Sequence, residues 1–187
     1  MGIDCDFKYR DGGNIMAEAQ EIVIRPVMAE DITAIANIYS YYVLNTTATL
    51  EETPPTVNEM HARWRAITDK NMPFLVAAGN KGILGYAYAG PYRPRSGYRY
   101  SLEESVYVAT EAQGQGVGVK LLASVIEQVR KQDYRQVLAV ICGEANQASI
   151  RLHEKLGFVR SGVLTKVGFK FGQWIDTVLM QKSLSGL

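Results

Sequence analysis

With 187 residues, and 20 Lys and Arg against 19 Asp and Glu, the chain is long enough for one well-buried domain, short for two, and close to neutral. Near-neutrality removes the electrostatic reason to expect nucleic acid or an anionic membrane as the main partner, so a small molecule in a pocket is the better expectation. Its two cysteines, Cys5 and Cys142, lie in unlike contexts, and no apolar run approaches the ~20 residues needed to cross a bilayer. A cytoplasmic protein without a disulfide framework is expected.

The opening "MGIDCDFKYRDGGNI" mixes charge and glycine without any period, and a second methionine follows at Met16. Residues 1–16 are therefore expected to be a leader or disordered arm, and 17–187 a single domain. "EIVIRPV" predicts a β-branched strand. "MAEDITAIANIYSYYVLN" predicts an amphipathic helix, with Ile32, Ile35, Ile38, Tyr39 and Tyr42 at helical spacing. After a polar, proline-bearing loop, Thr56 and Glu59 stand in capping-box spacing and open a second helix. "PFLVAAGNKGILGYAYAG" reads as a hairpin turning at Gly79, Asn80, Lys81 and Gly82, and "YSLEESVYV" as the next strand.

A helix beginning near Gln115 carries Val119, Leu122, Val125, Ile126 and Val129 on one face, and "YRQVLAVIC" follows as a buried strand, giving a β-α-β unit. Asn146 is placed to cap "QASIRLHEKLG", which Gly157 ends, and "FVRSGVL" and "QWIDTVLMQ" supply two closing strands. The order β-α-α-β-β-β-α-β-α-β-β implies an α/β chain with a mixed sheet and helices on its faces.

The chemistry concentrates in "VYVATEAQGQGVGVK", three spaced glycines between a strand and a helix. It matches neither G-x-G-x-x-G nor the P-loop, because the third glycine comes too soon and Lys120 is not followed by Ser or Thr. The setting still offers free N–H groups at a helix N-terminus to a pyrophosphate. A plain tight turn is the competing reading. It leaves unexplained why three glycines enter a helix at roughly 1 kcal/mol each relative to alanine.

Read as Gln113, Gly114, Gln115, Gly116, Val117 and Gly118, the run resembles the Q/R-x-x-G-x-G/A acetyl-CoA motif of the GNAT N-acetyltransferases. "NQASIRLHEKLGFVRSG" is similar to that superfamily's second signature. Within it, "NTTAT", "GYAYAGPYRPRSGYRYSLEESVYV", "IRLHEKLGF" and "VGFKFGQWID" resemble the phosphinothricin and methionine sulfoximine N-acetyltransferases, from about Glu21 to the end.

The resemblance implies a GNAT fold, acetyl-CoA as co-substrate, a small amino-acid-like acceptor and a homodimer. It assigns the pantetheine arm to the backbone of Val106, Tyr107 and Val108. It gives the glycine loop through Val119 to the phosphates, and adds Asn146, Ser149 and Lys155 from the following helix. Acetyl transfer needs a neutral amine, a polarised carbonyl and a proton for the leaving thiolate. Glu103 and Glu104 point to opposite faces of their strand. The resemblance makes Glu103 the base and leaves Glu104 on the other face.

His153 stands where many superfamily members carry a proton-donating tyrosine. Donor to the thiolate, pocket-shaping hydrogen-bond partner and plain helix residue all remain open for it. Arginine forks suit carboxylate, phosphinate or sulfone oxygens. By resemblance Arg93 and Arg95 bind the acceptor, Ser96, Gly97 and Tyr98 line the entrance, and Thr46 and Thr47 help close the pocket. The bland reading of that stretch is an exposed basic loop. No His, Cys or acidic cluster has metal-ligand spacing, so no metal cofactor is expected. Two other functions stay in view: acetylation of a protein or peptide N-terminus, and a non-catalytic acetyl-CoA-binding module.

Overall fold

Strand alternation and helical spacing divide the apolar residues between two cores, one on each side of a single sheet. The structure, a computed structural model, describes residues 21–143 and 146–184. The expected arm at 1–16 lies outside them.

The elements follow the expected order: β1 (Val23–Pro26), α1 (Ile32–Asn45), α2 (Val57–Thr68), β2 (Phe74–Gly79), β3 (Gly82–Pro91), β4 (Ser101–Val108), α3 (Val117–Arg130), β5 (Gln136–Cys142), α4 (Gln147–Lys155), β6 (Val159–Lys170) and β7 (Gln173–Ser183). Among the described residues seven strands form one sheet in the order β1-β2-β3-β4-β5-β7-β6. The pairs are antiparallel except β4 with β5, which α3 joins as a parallel crossover.

The alternation in β2 shows how the layers separate. Phe74 and Val76 face the core under α1 and α2, built on Ile32, Ile35, Tyr39, Val43 and Met60. Leu75 and Ala77 face the opposite core under α3, with Leu121, Leu122, Val125 and Val129. The expected capping box on α2 is present: the Thr56 hydroxyl accepts from the Glu59 N–H, and the Glu59 carboxylate accepts from the Thr56 N–H at 2.7 Å.

Three expectations change in detail. The third helix starts at Val117 rather than near Gln115, because Gly116 takes φ 78° and ends the loop there. Leu121, not Val119, completes its buried stripe. β6 runs to Lys170, well beyond "FVRSGVL", since the hairpin with β7 absorbs an irregularity between Leu164 and Gly168 and stays paired to its tip.

Candidate active site

Pairing between β4 and β5 runs from Ser101 with Gln136 to Glu104 with Ala139 and goes no further. Beyond that point Val106, Tyr107 and Val108 continue β4, while Val140, Ile141 and Cys142 continue β5 toward β7. The parting strands open a cleft of about 580 Å³ whose other walls are the glycine loop, the start of α3, and α4. Within it lie Val106–Val108, Gln113, Gly114, Gly116–Val119, Asn146, Ser149, His153 and Lys155. Of the residues expected around a cofactor, only Gln115 stands apart: its side-chain amide turns back to the Glu111 carbonyl at 2.8 Å.

The glycines divide their work. Gly114 and Gly116 adopt φ of 75° and 78°, and a Cβ at either would meet nothing within 4 Å, so backbone conformation is what calls for glycine there. Gly118 is in the first turn of α3, where a Cβ would come within 2.6 Å of Leu152 and 3.4 Å of Val108. Its lack of a side chain lets α3 settle between β4 and α4. The Asn146 side chain accepts from the Ser149 N–H at 3.3 Å, which caps α4 beside the same opening.

Strand alternation places Glu103 and Glu104 on opposite faces, as expected, but the carboxylate that lines the cleft is Glu104, and Glu103 does not line it. Glu103 shares its face with Ser105 and Tyr107, on the side of α1 and α2. Burial pushes its carboxyl above the usual range, Arg93 opposes the shift, and the charge of Glu104 adds to it. Glu104 is on the cleft side. Its Oε1 lies 2.6 Å from His153 Nε2, and each side chain is 2% exposed.

Burial pulls the His153 pKa down. The hydrogen bond to Glu104, that residue's charge and the Ser149 carbonyl together outweigh this and raise it. Both ring nitrogens are engaged, since Nδ1 lies 2.7 Å from the Ser149 carbonyl. His153 is thus no plain helix residue. His61 is exposed and meets Trp64 edge-on.

The acceptor expectations fall on the exposed side of the structure. Arg93, Arg95, Ser96, Gly97 and Tyr98 are exposed and line neither the cleft nor the smaller cavity beneath α2. Arg93 stacks 4.6 Å from the Tyr92 ring centroid, and its charge reaches Glu103. Thr46 donates to the Tyr42 carbonyl at 2.9 Å, so its hydroxyl is committed to ending α1. A Cβ placed on Gly143 would lie 3.6 Å from Thr47 Oγ1, which brings the loop after α1 to the end of β5.

Sequence reasoning passed over several groups. The Tyr42 hydroxyl donates to the Val108 carbonyl at 2.6 Å and accepts from the Gln113 side chain at 3.1 Å, tying α1 to the strand end and the glycine loop. Lys170, 1% exposed, donates to the Thr49 carbonyl at 2.8 Å. Thr49 in turn meets the Tyr39 hydroxyl at 2.9 Å, and Tyr39 stands edge-on to Tyr107. The sequence places Tyr42 only on the apolar face of a helix and gives Lys170 no role, and neither partner is close in sequence.

A sheet whose middle strands part against a glycine loop at a helix N-terminus is the architecture of an acyl-CoA-type transferase. Residues 24–179 match the family described as acetyltransferase (GNAT) domain, and the chain belongs to that family and is an N-acetyltransferase. It is 49% identical over 162 residues to a phosphinothricin N-acetyltransferase of Alcaligenes faecalis, covering 87% of this chain and 82% of the relative. It is 42% identical to an L-methionine sulfoximine/L-methionine sulfone acetyltransferase of Pseudomonas paraeruginosa, covering 86% of this chain and 94% of that one. The crystal structure of a GNAT superfamily phosphinothricin acetyltransferase from Sinorhizobium meliloti in complex with AcCoA superimposes with a TM-score of 0.83 at 42% identity, over 87% of this chain and 88% of that one.

Proposed function

We propose that the protein uses acetyl-CoA to acetylate the α-amine of a small amino acid or analogue of the methionine sulfoximine, methionine sulfone or phosphinothricin type. The observation that carries this reading is the parting of β4 and β5 after Glu104, which opens a ligand-sized cleft against positive-φ glycines at the start of α3. The pyrophosphate lies over the loop from Gln113 to Gly118. Pantetheine runs along Val106–Val108, where β4 no longer pairs with β5, and Asn146, Ser149 and Lys155 form the opposite wall.

Transfer is direct. The amine approaches from the α1 side of β4, where Glu103, with its pKa raised by burial, accepts the ammonium proton. The free amine adds to the thioester carbonyl. The C–S bond then breaks with its electron pair on sulfur, and the proton that the attacking nitrogen gives up balances the one the thiolate takes up. Arg93 and Arg95 supply positive charge for the acceptor's acidic group, with Ser96, Gly97 and Tyr98 at the entrance and Thr46 and Thr47 in the closing loop.

The protein works in the cytoplasm, in keeping with a free, buried Cys142; among the described residues no helix is long and apolar enough to cross a membrane. It works as a homodimer, a second copy covering the face of β6 and β7 that α1 and α2 leave open, where Leu164 is 46% exposed.

Thiol release measured with a panel of amino acids, their amides and N-terminal peptides tests the reading. Turnover of small acids supports it. Turnover confined to peptides would make this a protein N-terminal acetyltransferase, and acetyl-CoA binding without release on any amine would make it a sensor.

A further inference from the structure

Glu104 is the last residue of β4 paired to β5, at the apex where the cleft begins. Its Oε1 meets His153 Nε2 at 2.6 Å, and its Oε2 is buried without a hydrogen-bond partner. Across the ring, Nδ1 faces the Ser149 carbonyl at 2.7 Å. A carbonyl only accepts, and the Ser149 hydroxyl, which could donate to Nδ1 instead, is farther away at 3.4 Å, so Nδ1 carries hydrogen and one mobile proton remains on the line between Nε2 and Oε1.

We propose that Glu104 is a positioning residue for the cofactor: through the proton it shares with His153 it holds α4 to the apex of the cleft and thereby sets the affinity for acetyl-CoA. This rests on acetyl-CoA lying in the cleft, as above. α4 is a nine-residue helix whose buried side chains are Ile150 and His153, so the pair is a large part of its attachment. Ser149, which receives the ring's other hydrogen bond, is capped by Asn146, so the tie reaches from β4 to the first turn of α4.

Removing the mobile proton sets a carboxylate lone pair against an imidazole lone pair at hydrogen-bond distance, with Oε2 already lacking a donor. Strand and helix then repel. Around the ring, Phe158 covers one side edge-on at 5.0 Å, Arg151 and Lys155 of α4 and Tyr42 of α1 line the cleft, and Glu103 lies on the opposite face of β4. Among the described residues, Glu104 is the titratable group whose charge bears on the ring. Because the folded pKa of His153 is raised above 6.5, the tie is fully present below that value and is lost as pH rises through the folded one.

The test is acetyl-CoA affinity by calorimetry from about pH 6 to 9, for wild type, Glu104→Gln and Glu104→Ala, with His153 ring nitrogens followed by NMR. Glutamine can donate to Nε2 of the neutral ring, so Glu104→Gln keeps the tie and discards the mobile proton. Its titration also subtracts that of the cofactor itself. Relative to Glu104→Gln, wild-type affinity is expected to fall about tenfold as the ring loses its proton. Glu104→Ala is expected to bind about tenfold more weakly than wild type near neutral pH, with the acceptor KM within about twofold.

Wild type and Glu104→Gln with the same pH dependence would overturn the proposal, and that comparison stands even if the alanine variant does not fold. Equal affinity of a folded Glu104→Ala would overturn it as well. If acetyl-CoA leaves the amides of residues 106–108 and 113–118 unprotected from hydrogen exchange in the wild type, the assignment of the cleft itself fails. Protection there with silent Glu104 variants removes the positioning role alone.

Discussion

Tyr42 and Val108 are 66 residues apart in sequence, yet the tyrosine hydroxyl donates to the valine carbonyl at 2.6 Å. The same hydroxyl accepts from Gln113, the first residue of the glycine motif. One phenol therefore fixes the end of β4 and the entry to the cofactor loop together. Burial raises the Tyr42 pKa despite the hydrogen bonds from Gln113 and to Val108, so the group remains a hydroxyl donor at neutral pH.

Tyr42→Phe removes that donor with little change of shape. A lost neutral hydrogen bond costs about 1 kcal/mol, which corresponds to a fall in Tm of about 2–4 °C for a domain of this size. We expect that fall in a thermal scan, with a rise of up to about tenfold in the acetyl-CoA KM if the loop loosens. An unchanged Tm and KM would mean that the bond is replaced by solvent.

Gly116 has φ 78° and open space where a side chain would project. Gly116→Asp should fold with a cost of about 1 kcal/mol for the left-handed backbone, to which aspartate is among the more tolerant residues. Its carboxylate would stand where the cofactor phosphates are proposed to lie. The acetyl-CoA KM should then rise by at least tenfold with the acceptor KM little altered; an unchanged KM in the folded variant would make the run a turn and nothing more.

For Glu103, the glutamine substitution keeps size and hydrogen-bonding capacity while removing the proton acceptor. We expect kcat/KM to fall by roughly 10²–10⁴-fold, the range of general-base catalysis, and higher pH to restore part of it by supplying free amine. Burial raises the Glu103 pKa, so the acid limb of the wild-type profile should lie above the ordinary carboxylate value of 4.5. A limb that survives in Glu103→Gln would assign the base elsewhere.

The two acceptor arginines should separate. Arg93 lowers the Glu103 pKa through its charge, so Arg93→Ala should shift the acid limb upward as well as weaken acceptors. Arg95 is exposed, at the start of a single 3₁₀ turn. Arg95→Ala should weaken acidic acceptors more than their amides without moving the limb. Equal losses for acids and amides would reduce both arginines to loop formers.

Stability at low pH should depend on Asp31, which pairs with both Arg25 guanidinium nitrogens, at 2.6 and 2.9 Å, and accepts from the Met28 N–H at 2.8 Å. The Arg25 hydrogen bond lowers the Asp31 pKa against the effect of burial, with Met28 assisting. Its contribution is therefore present above the ordinary value of 3.8 and lost as pH falls through the lower folded value. Asp31→Ala should cost about 2 kcal/mol in urea unfolding near neutral pH, and the difference should shrink in acid.

Local pattern was enough to order the eleven main elements, because each pairs a clear period with a turn or cap: alternation in "EIVIRPV", the box at Thr56 and Glu59, Gly82 at the β2–β3 turn and Gly157 after α4. The glycine motif and the Asn146 cap were likewise legible, since backbone conformation at a helix start is written in adjacent residues. What tertiary structure alone decided is where strands stop pairing and which distant groups meet. Alternation said that Glu103 and Glu104 face opposite ways, but only the end of the β4–β5 ladder at Glu104 turned its face into a cleft wall and brought His153 to it. Tyr42 on Val108 and Lys170 on Thr49 belong to the same class of fact. Buried polar partners are chosen by the geometry of the closed fold, and such long-range pairs leave no period in the chain.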